Sequence, residues 1–351
     1  MESLFKWDIV PIQESIQLLD ISDEEYFSDK YKDYISNSKL KLINPDEGGS
    51  PELWLQGIPS SYSDSFYFGS AIHCSILQPN DFVVVNTVDR PTAKAGFMAD
   101  ELYPSYLKCG GIVYNEVIKA SDKISYYKGK MDTDKFNVLK DKLFPYFEQR
   151  YAYENRTKDK RIPIYLDPRS RYKFEECIRS VSKNIEIQKL LHPEGLINNP
   201  TTYNEATVLL DVNCLPPCKE ESLRLKLKGK LDHFSVDYET GVITLNDLKT
   251  TSHPIDIFKK ESFFKYHYAR QLAMYGWMLK QLNNTVFHIE KPIFKCNILV
   301  VSTIPPYDSG VMNVSNNTIQ KGIKELSKLL NLVAHVTAGN IDICRNEVTL
   351  F

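Results

Sequence analysis

The spacing of apolar residues changes along the chain, and it predicts mainly helices in the first part. Small and apolar residues over 68–77 recur at helical intervals and stop at Pro79, which predicts a short buried helix that carries His73. Helical spacing returns from about 105 to 195, where we expect an insertion packed beside the core.

The second part of the chain is richer in strand patterns. Residues 206–211, 222–234 and 241–250 contain β-branched and apolar residues at strand spacing and predict three strands. The segment Asp237–Gly241 joins the last two, and its glycine suits a hairpin with a bulge. Beyond them the pattern predicts a helix over 263–282, a strand over 293–302 and a core-packing helix over 318–338.

The length of the chain favours one elaborated domain. With 351 residues, 42% of them hydrophobic, it can bury a sizeable core. Residues 1–65 are mixed and acidic, so we expect a loosely structured N-terminal segment before a domain over 66–351. No stretch approaches the roughly 18 apolar residues of a membrane-spanning helix, and Met1–Trp7 lacks a signal-peptide layout. We therefore expect a soluble, cytoplasmic protein with no membrane partner.

The charge of the whole chain gives no sign of a polyanionic partner, because 43 Lys and Arg balance 45 Asp and Glu. One local pattern differs: Arg224, Lys226, Lys228 and Lys230 alternate with leucines, as in a strand with one apolar and one basic face. Such a strand either contacts DNA or forms a solvated sheet edge, and the pattern fits both.

The seven cysteines are scattered through a chain too long to need disulfide bonds, so reduced thiols are the simplest interpretation. Cys214 and Cys218 come closest to a metal motif. A zinc or iron–sulfur site would need two more ligands beside them, so we expect ordinary thiols there.

A candidate catalytic centre is formed by Asp232 and by the segment Asp247-Leu248-Lys249. Asp247 and Lys249 lie two apart on a predicted strand and should face the same side, while Leu248 points into the core and leaves its carbonyl oxygen beside them. Asp232 lies on the neighbouring predicted strand. Oxygen ligands of this kind suit Mg²⁺ or Mn²⁺, and a lysine beside them can orient or deprotonate attacking water in phosphodiester hydrolysis. The competing interpretation is a solvated hairpin that happens to carry Asp and Lys.

Three further features have both a functional and a structural interpretation. Glu205 either adds a carboxylate to the centre or is a glutamate at the surface or at a helix end. His73 either ligates a metal or is a satisfied core histidine. Gln271 and Tyr275 lie four apart on one helical face and either contact a DNA backbone or belong to an aromatic core stripe.

Five short segments resemble those of a known family when taken in order. They are Gly69-Ser70-Ala71-Ile72-His73 with Gln78-Pro79, Glu205, Gly229-Lys230-Leu231-Asp232, Asp247-Leu248-Lys249-Thr250-Thr251, and Gln271-Leu272-Ala273-Met274-Tyr275. This order resembles RecE-type exonucleases and their phage-encoded relatives among the RecB-like PD-(D/E)XK nucleases, over roughly residues 66 to 300. The resemblance implies an α/β fold with a restriction-endonuclease-like core, in which helices flank a central mixed β-sheet.

The resemblance also implies a role for each matching residue. Gln271, Tyr275 and Thr250 would lie near the DNA strand. Separately, Arg90 and Lys94 follow the His73 helix and are candidates for contacting a terminal phosphate, although solvated loop cations are the favoured interpretation. The implied ligands of two Mg²⁺ or Mn²⁺ ions are His73, Glu205, Asp232, Asp247 and the Leu248 carbonyl oxygen, with Lys249 assisting the attacking water.

The activity implied by the resemblance is exonucleolytic digestion of duplex DNA from an end, commonly 5′ to 3′. The enzyme would act in the cytosol of a bacterial or phage-infected cell, as a ring of identical subunits that passes its product strand to a single-strand annealing recombinase. Residues 1–65 and about 130–165 match no pattern of the family.

Two alternatives are retained. One is an endonuclease or an accessory nuclease, whose relatives usually bind an iron–sulfur cluster through four cysteines, whereas the C-terminal region here offers Cys344 alone. The other is a catalytically inactive DNA-binding module. Such a module would be expected to lose a charged site residue, but Asp232, Asp247 and Lys249 are all present.

Overall fold

The computed structural model describes residues 8–57, 63–127, 130–193, 199–215 and 222–339. The chain divides into two compact units. The first contains residues 1–59, 181–302 and 308–351, and the second contains residues 60–180 and 303–307. The second unit therefore begins earlier in the chain than the helical insertion predicted over 105–195.

The strands belong to two sheets. They are β1 (Asp8–Pro11), β2 (Gln17–Leu19), β3 (Phe82–Val85), β4 (Ile162–Tyr165), β5 (Thr201–Leu215), β6 (Leu223–Asp237), β7 (Val242–Thr251), β8 (Ile293–Ser302) and β9 (Ser309–Asn313). Within the described residues, the first unit has a seven-stranded sheet of order β1-β5-β6-β7-β8-β9, with β2 also paired to β5. The β7–β8 pair is parallel and the other pairs are antiparallel, so the sheet is mixed.

The helices, some of them only one turn long, vary in length. They are α1 (Asp23–Tyr26), α2 (Asn37–Leu40), α3 (Pro51–Gln56), α4 (Asp64–Leu77), α5 (Lys94–Cys109), α6 (Tyr114–Ile124), α7 (Thr133–Arg156), α8 (Pro168–Lys183), α9 (Ile185–Leu191), α10 (Ile255–Ile257), α11 (Phe263–Lys265), α12 (Tyr268–Leu282) and α13 (Asn316–Thr337). No helix in the described part of the chain is long and apolar enough to cross a membrane.

The core of the first unit lies between the sheet and the two long helices α12 and α13. Leu231, Leu245 and Val300 of the sheet are buried together with Met278 of α12 and Leu330 of α13. The hydrophobic effect supplies about 25 cal/mol for each Å² of apolar surface buried in this way. The expected α/β fold, a central mixed sheet flanked by helices, is confirmed.

The predicted hairpin is present between β6 and β7. Gly241 has φ 72°, a left-handed conformation that glycine adopts without strain, and its N–H donates to the Asp237 carbonyl oxygen at 2.9 Å. The Asp237 carboxylate also accepts from the N–H groups of Glu239 and Thr240, both at 3.0 Å. The strand expected over 293–302 is confirmed as β8.

The helix expected over 263–282 is interrupted. His267 has φ 53°, in the left-handed region, and it separates α11 from α12. A regular helix cannot continue through a left-handed residue. The apolar spacing of the two pieces agrees with one helix, so periodicity alone did not reveal the break.

Residues 8–57 are more ordered than expected. Strands β1 and β2 both pair with β5, so this part of the N-terminal segment belongs to the central sheet. The pairing partners lie almost 200 residues away in the chain, and local composition carries no signal of such contacts.

The basic face of β6 is covered in part: Lys228 is buried, whereas Lys226 is exposed. The Lys228 ammonium donates to the Tyr26 carbonyl oxygen at 2.8 Å and lies 4.3 Å from the centroid of the Tyr26 ring. Lys226 lies 5.6 Å from the ring of Tyr34. The Ile35 N–H donates to the Lys226 carbonyl oxygen at 2.7 Å, and the Lys228 N–H donates to the Ile35 carbonyl oxygen at 2.9 Å, so this stretch of β6 is not a free sheet edge.

The second unit has its own core. Apolar side chains of α5, α6 and α7 pack around Phe147, and β3 pairs with β4 in parallel. Arg90 is 5% exposed there, and its guanidinium donates to Asp100 at 2.8 Å between the rings of Tyr67 and Phe97. Removal of one partner of such an ion pair is strongly destabilising, because the other charge is left without compensation.

The cysteine prediction can be compared with the structure at Cys214, which is a buried free thiol. Burial raises the pKa of this thiol to about 12, so it stays protonated near neutral pH. Cys218 and Cys344 lie outside the described residues.

Candidate active site

The candidate site lies on β6 and β7, just beyond the last residue pair of the hairpin. That pair is His233 with Asn246, so Asp232 and Asp247 follow it on the two neighbouring strands. The Leu248 N–H donates to the Asp232 carboxylate at 2.7 Å and fixes its orientation. Leu248 itself is fully buried, as its position between two site residues predicted.

Lys249 is the cation of the site. Its Nζ lies 2.6 Å from a carboxylate oxygen of Asp247, 3.9 Å from one of Asp232 and 3.4 Å from the Leu248 carbonyl oxygen. The side chains are 16%, 1% and 12% exposed for Lys249, Asp247 and Asp232, so the charges interact with little solvent screening.

Glu205 faces Asp232 from the adjacent strand β5. The pairs on either side are Asn204 with His233 and Ala206 with Leu231, which places Glu205 opposite Asp232. Their carboxylate oxygens lie within 4.8 Å of each other. Sequence reasoning put Glu205 before the strand, whereas β5 already begins at Thr201.

The backbone at Glu205 is strained. Its φ is 49°, in the left-handed region, although it lies inside a strand. A non-glycine residue held there costs roughly 1–3 kcal/mol, and such residues cluster at functional sites. The strain is consistent with a constraint on where the Glu205 carboxylate points.

The negative charges of the Glu205 and Asp232 carboxylates are destabilised by burial. Burial, and then the negative charge of Asp232, raise the pKa of Glu205 from its usual 4.5 to about 7. Burial also raises the pKa of Asp232, although Lys249 opposes the rise. For Lys249, burial lowers the pKa, but Asp247 and Asp232 raise it by more, so the amine is charged at neutral pH.

Gln271 and Tyr275 of α12 reach the site, and their predicted shared face is confirmed. The Gln271 amide donates to Asp247 at 3.1 Å and to the Tyr275 hydroxyl at 3.2 Å. Tyr275 is 7% exposed, and burial raises its pKa well above the usual 10. The amide therefore orients the carboxylate of Asp247 from the helix side.

The other residues suggested by the sequence have different environments. His73 is half-buried on α4, while Lys94, also in the second unit, donates to the Ser125 carbonyl oxygen at 2.7 Å. Arg90 is engaged in the buried ion pair described above, so a DNA contact would require it to leave Asp100. Thr250 points to the opposite face of β7 from Lys249, because side chains alternate along a strand. Metal binding by His73 and DNA contacts from the other three residues stay predictions.

The donor set fits a hard divalent cation. Glu205, Asp232, Asp247 and the Leu248 carbonyl oxygen supply oxygen ligands of the kind that Mg²⁺ and Mn²⁺ prefer. Burial and then the charge of Asp232 raise the pKa of Glu205, and a divalent cation beside the carboxylate would offset both effects.

Lys230 is a site residue that sequence reasoning placed on the basic face only. Its ammonium contacts Asp23 of α1 and lies 3.3 Å from the Glu205 carboxylate. Because Lys230 precedes Asp232 by two residues on β6, both side chains share one face of the strand. That spacing is the signal that could have linked Lys230 to the site.

Gly229 permits the close approach of α12 to β6. A Cβ at Gly229 would lie 2.9 Å from Tyr275 Cε1 and 2.9 Å from Met278 Sδ, closer than real contacts allow. Met278 is flexible and can adapt, but Tyr275 is held in the buried bond with Gln271. A side chain at Gly229 would therefore displace the group that orients Asp247.

We expect Gly229→Ala to lower the free energy of unfolding by about 1–3 kcal/mol, as overpacking does, and to lower any activity of the site. Gly276→Ala is the matched control, because a Cβ there meets nothing within 4 Å. Urea denaturation measures both variants. Equal effects of the two substitutions would contradict the role assigned to Gly229.

The pKa of Glu205 has a consequence for stability without metal. Between about pH 4.5 and 7 the unfolded chain loses this proton while the folded chain keeps it, so stability falls as pH rises, by up to about 3 kcal/mol. We expect Glu205→Gln to remove that part of the slope in chelator-treated protein. The exposed Glu239→Gln should leave it unchanged. An identical pH dependence of wild type and Glu205→Gln in urea titrations would contradict the raised pKa.

The site has Asp on one strand of a mixed sheet and Asp-x-Lys on the next, an arrangement that resembles PD-(D/E)XK sites. In agreement, residues 218–346 match the family described as a PDDEXK-like domain of unknown function (DUF3799). The match covers somewhat more than a third of the chain and leaves out β5, which carries Glu205.

Two further comparisons were made. No curated protein matches the sequence significantly. Among solved structures, a crystal structure described as "Putative exonuclease" from Eubacterium rectale is similar, with 16% identity, 93% of each chain covered and a TM-score of 0.42. At this identity and TM-score, the likeness supports no conclusion about the present chain.

Proposed function

We propose that the chain is a divalent-cation-dependent exodeoxyribonuclease that degrades duplex DNA from an end. The observation that carries the proposal is the placement of Lys249 against Asp247, Asp232 and the Leu248 carbonyl oxygen on adjacent strands. The match of residues 218–346 to a PDDEXK-like family supports a nuclease. The preference for DNA ends rests on the motif resemblance.

The residues divide the chemistry among them. Glu205, Asp232, Asp247 and the Leu248 carbonyl oxygen would hold the ion, with His73 added by the resemblance. Once bound, a divalent cation stabilises charge on the phosphate and lowers the pKa of attacking water. The charged Lys249 donates hydrogen bonds to the water or to a phosphate oxygen, and Gln271 keeps the Asp247 carboxylate in place.

The direct test compares linear and circular duplex DNA in Mg²⁺. End-dependent loss of the linear duplex is expected, with the circle left intact. Nicking of the circle would instead identify an endonuclease, and loss of neither would identify a DNA-binding module. A linear duplex labelled separately at each 5′ and 3′ end then gives the polarity, which we propose is 5′ to 3′.

We expect Mg²⁺ and Mn²⁺ to support cleavage and excess chelator to abolish it. Ca²⁺ should bind and stabilise the protein against heat but support little turnover, because its looser coordination positions water poorly. Thermal denaturation in each ion measures binding independently of activity. Cleavage that persists in excess chelator would contradict the metal mechanism.

The ring of subunits and the recombinase partner rest on the resemblance alone. A closed ring would retain DNA between cleavage events in a chain whose formal charge of −2 gives no broad basic surface. Light scattering at micromolar concentration tests the assembly, and a particle no larger than the 40.5 kDa monomer would contradict it.

A further inference from the structure

The segment between β7 and α12 exposes two aromatic side chains to solvent. Phe264 is 56% exposed and Tyr266 is 51% exposed. Both lie between Lys249 and Gln271 in the chain, so the chain passes through them from one part of the candidate site to the other. Single exposed apolar residues are normal on a protein surface, whereas neighbouring ones beside a functional site mark a candidate interaction surface.

A rigid base supports the two rings. Phe264 packs edge-on against the buried Phe263 at 5.2 Å between ring centroids, and Tyr266 lies 6.0 Å from Tyr268. The turn at His267 is tied to α13, because His267 Nδ1 lies 2.7 Å from a Glu325 carboxylate oxygen.

A buried arginine also holds Glu325 in place. Arg270 is 1% exposed, and its guanidinium donates to Glu325 at 2.9 Å and to Glu47 at 2.6 Å. Little conformational entropy is therefore lost when a ligand meets this surface.

The segment that carries the rings is rich in lysine. Residues 258–267 contain Lys259, Lys260 and Lys265 against one acidic residue, Glu261. The Lys265 ammonium lies 5.5 Å from the Tyr266 ring centroid. Alternation of exposed aromatic rings with lysines is the pattern that binds single-stranded nucleic acid, because bases stack on the rings while lysines contact phosphates.

The rings lead into the candidate site. Tyr268, the neighbour of Tyr266, has its ring centroid 5.4 Å from the Lys249 ammonium, and Lys249 contacts Asp247. A strand lying on Phe264 and Tyr266 would thus continue past Tyr268 toward the carboxylates. This continuity distinguishes the two rings from exposed aromatic residues elsewhere in the unit.

We infer that Phe264 and Tyr266 form a stacking platform for unpaired bases of a DNA strand that enters the candidate site. Inside a duplex both faces of each base are covered by its neighbours, and a duplex end offers the face of one pair, so bases that cover two successive rings must come from a separated strand. The inference rests on the proposed function for the identity of the nucleic acid. It adds that the strand is single-stranded where it meets this side of the site.

Binding of a labelled oligothymidylate of about 12 nucleotides, within the size range of single-strand sites, tests the platform. Fluorescence anisotropy with the full chain in chelator measures affinity without cleavage. Phe264→Ala and Tyr266→Ala should each weaken binding about tenfold, and Tyr266→Trp should restore it. Tyr238→Ala is the matched control, because Tyr238 is 53% exposed at the opposite end of β7 and should bind as wild type does.

The outcomes separate this inference from the proposed function. Loss of oligonucleotide binding in the two platform variants, but not in Tyr238→Ala, supports the platform even if no DNA is cleaved. Wild-type affinity in Phe264→Ala and Tyr266→Ala, or an equal loss in Tyr238→Ala, overturns it even if the protein proves to be a nuclease. Failure of Tyr266→Trp to restore binding would also overturn it, because a larger ring should stack at least as well.

Discussion

Replacement of Asp247 by asparagine should abolish DNA cleavage, with at least about a thousandfold loss of rate. Asp247 contacts both Lys249 and Gln271, and its carboxylate is the most buried of the proposed ligands. Asparagine keeps the shape and one oxygen but removes the charge that would bind a cation. Several kcal/mol of transition-state stabilisation are lost with the ion, and each 1.36 kcal/mol is a factor of about ten.

Asparagine is preferred to alanine at this position because the side chain is 1% exposed and alanine would leave a cavity. Loss of the ion pair with Lys249 still lowers stability, so circular dichroism and urea denaturation should accompany the rate measurement. Asp256→Asn, on the exposed α10, is the matched control and should keep wild-type activity. Near wild-type Mg²⁺-dependent digestion by folded Asp247→Asn would contradict the assignment of Asp247 to the catalytic site.

The substitution Lys249→Met should also stop cleavage, by about 10²–10⁴-fold, while leaving cation binding intact. Methionine retains most of the length of lysine but donates no hydrogen bond. The Lys249 ammonium lies 2.6 Å from Asp247 and competes with a metal for that carboxylate, so cation affinity should rise. Asp247→Asn and Lys249→Met therefore have opposite effects on metal binding and the same effect on rate.

Calorimetric titration with Mn²⁺ distinguishes the two variants, and Lys295→Met at the exposed start of β8 is the control for loss of a lysine. If Lys249→Met lost cation binding together with activity, Lys249 would have only a structural role. If it kept full activity, the donor assigned to the reaction would be wrong.

Local patterns in the sequence predicted the parts of the site that lie on one strand or one helix. The two-residue spacing of Asp247 and Lys249 and the four-residue spacing of Gln271 and Tyr275 both translate directly into shared faces. The chemistry of the Asp232 and Asp247 carboxylates likewise follows from residue type. The shared faces follow from the helix and strand periodicities, which can be recognised within a few consecutive residues.

Long-range contacts were not predicted. Lys230 contacts Asp23, and Lys228 contacts Tyr26, across about 200 residues of chain, so the N-terminal cover of β6 left no local signal. The burial of Arg90 was missed for a different reason: Asp100 and the flanking rings are near in sequence, but no helix or strand periodicity relates them to Arg90. The sequence around a basic residue does not show whether its side chain is solvated or forms a buried ion pair.

The pairing of β2 with β5 also sets a delay during synthesis of the chain. Leu19 pairs with Thr207, and about 190 residues, including the whole core of the second unit, separate them. At about 5–20 residues per second a ribosome needs roughly 10–40 s to cover that distance. Throughout that time β1 and β2 have no partner strand, whereas the second unit can already fold. Chaperone demand on the nascent chain should therefore peak before residue 215 emerges and fall once β5 is available.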